Sequence, residues 1–141
     1  MKTPIHLWII GILALIWNMG GVFDYVAVKF RMDSYISQMP EGGMAFLDNA
    51  PAWYSAAWAI GVWFSFIGAI LLLLRSRLAA SAFAMSFLGL VIASIYSFVI
   101  ADSSPMRDAG TGAMIFTVAI YIVLIILFIY ARAMTRRGVL R

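Results

Sequence analysis

Cysteine is absent from this chain, and histidine occurs once, as His6. The lack of cysteine excludes disulfides, thiol nucleophiles and thiolate metal sites, and a single histidine excludes a bis-histidine haem within one chain. Charge is also scarce, since only 11% of the residues are Asp, Glu, Lys or Arg. No nucleophile with an adjacent base and no metal-ligand set is visible in what remains. We therefore expect no enzymatic activity, no catalytic residue, no metal site and no cofactor.

Apolar residues dominate instead and make up 65% of the chain, against roughly 45–50% in a soluble domain. They form four runs, each long enough to cross ~30 Å of hydrocarbon at ~1.5 Å per residue. The runs are His6–Val28, Ala52–Leu74, Leu78–Ile100 and Ala113–Ala133. Lys2 precedes the first run as in a signal peptide, but no small-residue cleavage site follows, so we expect a retained helix. The sequence predicts one all-α membrane domain over residues 1–141 with four transmembrane helices.

The basic residues are distributed unevenly around these runs. Seven of the ten lie near the two chain ends or in the turn 75–77, and three lie on the opposite side, at Lys29, Arg31 and Arg107. None of the six acidic residues lies on the side with seven. The positive-inside rule then predicts an antiparallel bundle with both termini cytoplasmic, N-in/C-in. The net charge of +4 fits a basic tail that rests on anionic lipid headgroups. We therefore expect no nucleic-acid partner.

Two outer loops, 29–51 and 101–112, and one cytoplasmic turn, 75–77, connect the predicted helices. No breaker occurs before Pro40, so the first helix is expected to extend outward toward Gln38 and to stop at the Pro-Glu-Gly-Gly segment 40–43. The short apolar patch Met44–Leu47 is expected either to lie on the outer membrane surface or to cap the bundle. Pro51 marks the start of the next helix.

Small residues recur every four positions in the second and third runs. Such ridges let membrane helices approach closely, because burial of apolar area gives no net drive between helices in lipid. We expect them to form the contact between these two helices, with a dimer seam as the alternative. The ridges are Ala57, Gly61, Ser65 and Ala69 in one run and Gly89, Ala93 and Ser97 in the other.

Polar residues within the runs concentrate in the outer part of the first one. At 100° per residue Asn18, Gly21 and Tyr25 share one helix face, and Asp24 lies on the neighbouring face. One interpretation is a small polar cavity, open outward, that suits a sugar, a polyol or a cation, with Lys29 and Arg107 as cations within reach of Asp24. The other is that Asn18 and Asp24 only tie the first helix to its neighbours. The candidate lining is Asn18, Asp24, Tyr25, Trp58, Trp63 and Tyr96.

Several stretches carry a resemblance over nearly the whole chain. They are Pro4–Trp8, Trp17–Tyr25, Pro51–Trp53 with Trp58–Trp63, and Tyr130–Met134. In these the chain resembles an uncharacterised family of small bacterial four-helix inner-membrane proteins, some of them labelled sugar transporters. The resemblance implies that the polar cluster of the first helix is a family hallmark, and that the chain lies in the bacterial inner (cytoplasmic) membrane as a multi-pass protein.

Two classes of function follow from these observations. The first is a protein that binds or transports a small polar solute such as a sugar, as a homo-oligomer, because four spans give little wall around a permeation path. The alternative is an accessory or assembly subunit of a larger membrane complex, with no transport activity. In both, the lipid bilayer is the first partner.

Overall fold

The computed structural model describes residues 3–38, 43–101 and 111–141. Within these ranges the chain is helical and contains no strand. The elements are α1 (Ile5–Lys29), α2 (Asp33–Ile36), α3 (Gly43–Asn49), α4 (Ala52–Leu73), α5 (Leu78–Ile95), a π-helical segment (Tyr96–Ile100) that continues α5, and α6 (Thr111–Arg136).

Four of the described helices are long and apolar enough to cross a membrane: Ile5–Lys29, Ala52–Leu73, Leu78–Ile100 and Met114–Arg136. They confirm the four predicted spans to within a few residues. Many of their large apolar side chains point outward, as Ile16 and Ile126 do. This distribution is typical of a multi-pass membrane protein, because lipid chains solvate such side chains as well as a protein core does.

The four long helices pack in chain order, α1 against α4, α4 against α5, and α5 against α6. The closest approach is between α4 and α5. A Cβ added at Gly89 would lie 2.7 Å from the carbonyl oxygen of Ala57 and 2.9 Å from the backbone nitrogen of Gly61. The Ser86 hydroxyl also donates to the carbonyl oxygen of Gly61 at 2.5 Å. Ala57 and Gly61 of the first ridge and Gly89 of the second therefore lie in the α4–α5 contact, as predicted. Ser65 of the first ridge instead bonds to Asn18 of α1.

Helix α1 ends at Lys29, so the expected extension toward Gln38 is wrong. Arg31 adopts a left-handed conformation with φ of 53°. The N–H groups of Arg31 and Met32 donate to the carbonyl oxygens of Val28 and Ala27, at 3.1 and 3.0 Å. These bonds complete a Schellman C-cap, which usually places glycine at the left-handed position. The chain turns here and the short helix α2 follows.

Helix α3 caps the bundle, which was one of the two predicted placements of Met44–Leu47. The Phe46 ring lies 5.7 Å from the ring of Tyr54 and 5.7 Å from that of Tyr96, centroid to centroid. We call this end, around Lys29, Phe46, Tyr54 and Tyr96, the loop end. The predicted stop at residues 40–42 and the predicted loop at 102–110 lie outside the described residues.

At the other end, helix α4 stops in a second Schellman turn, with Arg75 at φ of 57°. The backbone N–H of Arg141 donates to the Arg75 carbonyl oxygen at 2.9 Å, and the N–H of Arg77 donates to the backbone oxygen of Arg141 at 3.1 Å. Val139 and Leu140 are buried in the core. The tail 137–141 therefore folds back onto the 75–77 turn, which the sequence did not predict. We call this region the arginine end.

Candidate functional site

Three of the predicted site residues meet at the loop end, where α1 packs on α4. The Tyr25 ring lies 4.8 Å from the Trp58 ring and 6.0 Å from the Trp63 ring, both edge-on. All three side chains are partly exposed. We call Tyr25, Trp58 and Trp63 the aromatic cluster. The two tryptophans are five residues apart and so point about 140° apart around α4, yet the rings of both lie near Tyr25.

A positive charge from the chain itself lies on this cluster. The Lys29 Nζ atom is 5.7 Å from the centroids of both the Tyr25 and Trp58 rings. It also donates to the Ser55 hydroxyl at 3.3 Å. The negative faces of aromatic rings attract such a cation at distances up to about 6 Å. The cluster thus combines ring faces, an ammonium group and a hydroxyl within one small region.

The second polar feature of the loop end is the half-buried Asp24 carboxyl group. The Tyr35 hydroxyl of α2 donates a hydrogen bond to its Oδ1 atom. The Tyr35 ring also packs edge-on against Phe23, with centroids 5.9 Å apart. Helix α2 therefore covers one side of Asp24, held by one hydrogen bond and one ring contact.

Of the two cations predicted to reach Asp24, the structure describes one. Lys29 contacts the aromatic cluster, and Arg107 lies outside the described residues. Within residues 3–38, 43–101 and 111–141 the ion pair found is Arg31 with Asp48, at 2.5 Å between exposed side chains. In this part of the chain the Asp24 carboxyl is thus bonded to the neutral hydroxyl of Tyr35.

Asn18 lies two helical turns below Tyr25 and has a different role from the cluster. It is 8% exposed. Its Nδ2 atom donates to the Ala14 carbonyl oxygen at 2.8 Å, and its Oδ1 atom accepts from the Ser65 hydroxyl at 2.5 Å. Both ends of the amide are therefore engaged within the protein. This geometry fits the anchoring interpretation, in which Asn18 ties α1 to α4.

Tyr96 belongs to a second group of rings. Its ring lies 4.9 Å from that of Tyr54 and 5.3 Å from that of Trp53. It opens the π-helical segment, where the Ala101 N–H donates to the Tyr96 carbonyl oxygen at 2.8 Å. Such segments are often found at functional sites. Tyr96, Tyr54 and Trp53 thus form a ring group of their own, separate from the aromatic cluster.

Sequence reasoning missed three residues of the site: Tyr35, Ser55 and Ser65. Tyr35 contacts Asp24 only because the chain reverses at Arg31, and an arginine in a left-handed turn leaves no glycine signal. Ser65 was recognised as a ridge residue, but its bond to Asn18 depends on the relative rotation of two helices. Ser55 lies one turn before Trp58, which places it beside Lys29 once α1 and α4 are aligned.

Comparisons with known proteins give no family assignment. The chain matches no protein-family model, no curated protein and no solved structure. The resemblance to small four-helix inner-membrane proteins therefore stays a prediction from the sequence.

Proposed function

We propose that the loop end binds a small polar solute, such as a sugar or a polyol, taken from the outer side of a bacterial inner membrane. The observation that carries this proposal is the grouping of Tyr25, Trp58 and Trp63 with the Lys29 ammonium group, beside the half-buried carboxyl of Asp24. Aromatic faces bind the apolar faces of a sugar ring, and a few convergent polar groups bind its hydroxyls. Four membrane helices can pack together without an aromatic cluster and without a half-buried carboxyl group.

The orientation that this function needs is part of the proposal. Seven basic residues and no acidic residue lie on the side of the chain ends and the 75–77 turn. The positive-inside rule then makes both termini cytoplasmic and places the loop end outside. An antiparallel bundle is supported by contacts between the end of α1 and the start of α4, such as Lys29 with Ser55. The solute would therefore enter the site from the outer compartment.

Transport would require more helices around the permeation path than the four of one chain. Two or more copies of the chain, or a larger membrane complex, would enclose the permeation path. Within one copy, the bond between Tyr35 and Asp24 is the contact that a solute hydroxyl would replace. Helix α2 would then move away from α1 as the solute binds, because one hydrogen bond and one ring contact hold it there.

The test compares two carboxylates at the loop end. The purified chain is reconstituted in nanodiscs and titrated with a panel of monosaccharides, disaccharides and polyols, with tryptophan fluorescence as the signal. We expect saturable binding of at least one compound by the wild type, loss of binding in Asp24→Asn, and retained binding in the matched control Asp48→Asn. Equal binding by Asp24→Asn and wild type would contradict the proposal.

An accessory subunit is the second candidate, and an open face of α1 favours it. A Cβ at Gly20 or Gly21 would meet no atom within 4 Å, and the neighbouring Trp17 is 42% exposed. A helix of another protein fits such a notch, because small residues permit close backbone approach in lipid. Purification from the native membrane in mild detergent separates the candidates. A stable second protein would support this one, and a homogeneous self-assembly would count against it.

A further inference from the structure

The arginine end carries a second concentration of charge, which the proposed solute site does not use. Six arginines lie there, and all six are exposed. None of the six acidic residues of the chain lies near this end in sequence. The members are Arg75, Arg77, Arg132, Arg136, Arg137 and Arg141.

Two of these arginines have partners of their own. The Arg75 guanidinium donates to the Thr3 hydroxyl at 2.8 Å, and the Arg132 guanidinium lies 5.9 Å from the centroid of the Phe128 ring. In the part of the chain that the structure describes, no ion pair involves any arginine at this end. Positive side-chain charge is therefore concentrated here, with no Asp or Glu side chain paired to it in the described residues.

The fold holds two of the remaining arginines together. The backbone of Arg141 makes two hydrogen bonds to the 75–77 turn: its N–H donates to the Arg75 carbonyl oxygen at 2.9 Å, and its oxygen accepts from the Arg77 N–H at 3.1 Å. Leu140, next to Arg141, is 2% exposed, so the tail is anchored by burial as well as by hydrogen bonds. Arg77 and Arg141 are thereby adjacent on a fixed backbone, although they are 64 positions apart in sequence. A flexible basic tail resting on the membrane surface would not fix such a pair.

We infer that Arg77 and Arg141 form a binding site for the phosphate group of an anionic phospholipid. Guanidinium groups bind phosphate oxygens through paired N–H donors. The exposed ends of α4 and α6 bear apolar side chains such as Leu74, beside which the lipid acyl chains would lie. An anionic lipid is the expected ligand because this end lies at a membrane boundary, where such headgroups are concentrated.

The test measures lipid retention by native mass spectrometry on the full chain, released from mild detergent after incubation with equal amounts of phosphatidylglycerol and phosphatidylcholine of matched acyl chains. We expect the wild type to retain phosphatidylglycerol preferentially. The preference should fall about fivefold for each arginine removed, hence about 25-fold in the double variant Arg77→Gln/Arg141→Gln. Arg31→Gln, which removes one charge at the loop end, should keep the full preference.

Further arms separate a lipid site from a general effect of positive charge and from a site for free phosphate. The variant Arg77→Lys/Arg141→Lys keeps both charges and is expected to keep the backbone fold. It should lose part of the preference for phosphatidylglycerol, because lysine cannot form the paired contact with phosphate. Size-exclusion chromatography and far-UV circular dichroism check that each variant is folded. The inference is overturned if Arg31→Gln loses as much preference as Arg77→Gln, or if inorganic phosphate displaces the lipid at equal concentration.

Discussion

The close contact between α4 and α5 allows a quantitative prediction at Gly89. A methyl group added there would lie 2.7 Å from the Ala57 carbonyl oxygen, 2.8 Å from Ile60 Cγ2 and 2.9 Å from the Gly61 nitrogen. Two of these three atoms belong to the backbone, so relief requires the two helices to separate. Overpacking of this kind costs roughly 1–3 kcal/mol, while alanine regains up to about 1 kcal/mol of helix propensity. The net range is about 0–2 kcal/mol. Because two of the close atoms are backbone atoms that cannot move alone, we expect Gly89→Ala in its upper half, a loss of about 1–2 kcal/mol in the free energy of unfolding.

Two other glycines provide matched controls. At Gly20 a methyl group would meet nothing within 4 Å, so Gly20→Ala should leave stability unchanged or raise it by up to about 1 kcal/mol. At Gly68 it would lie 2.7 Å from the Phe83 ring, and Phe83 is fully buried. A ring can shift more easily than a backbone, so Gly68→Ala should fall between the other two.

The assay is reversible unfolding of the full chain in mixed micelles by titration with sodium dodecyl sulfate, followed by far-UV circular dichroism. The expected order of stability is Gly20→Ala, then Gly68→Ala, then Gly89→Ala. Equal stability of Gly89→Ala and Gly20→Ala would contradict the prediction for Gly89, because it would mean that α4 and α5 do not approach as closely as described.

Two further predictions concern the polar contacts of α1. Ser65→Ala removes the donor to the buried Asn18 amide. It should cost about 0.6 kcal/mol in the same titration, and at most about 1.7 kcal/mol, the average and the maximum for hydrogen bonds between membrane helices; no loss would mean that Asn18 does not tie α1 to α4. Tyr35→Phe removes the bond to Asp24 but keeps the ring contact with Phe23, and should increase amide hydrogen exchange in residues 30–38 without affecting α4, whereas unchanged exchange would show that the hydroxyl does not hold α2 in place.

The sequence was sufficient for features that depend on local properties. The length of an apolar run decides whether it can span a membrane, so the four spans were predictable. The four-residue spacing of Gly61, Ser65 and Ala69 places them on one helix face whatever surrounds them. For the apolar patch around Phe46 the sequence left two placements open, and the contacts of the Phe46 ring with Tyr54 and Tyr96 distinguish them.

The rest depended on how the elements meet. The stop of α1 was missed because Arg31 occupies a left-handed position that usually signals itself with glycine. The contacts that accompany this turn lie outside α1, in the exposed ion pair of Arg31 with Asp48 and the bond of Tyr35 to Asp24. The sequence allowed two roles for Asn18, lining a cavity or anchoring α1 to its neighbours. Only the position of Ser65 on α4 distinguishes the two.

The most direct test of the proposed outward-facing solute site uses the absence of cysteine. A single cysteine at Ser55, beside Lys29 and the aromatic cluster, is treated with a membrane-impermeant maleimide in intact spheroplasts, with and without the saccharides and polyols of the panel. A cysteine at the exposed Ser37 serves as the control. An outward-facing solute site predicts that both cysteines are labelled from outside and that a bound solute protects Ser55→Cys but not Ser37→Cys. Labelling of both only after the membrane is permeabilised, or equal labelling of Ser55→Cys with and without every solute, would contradict it.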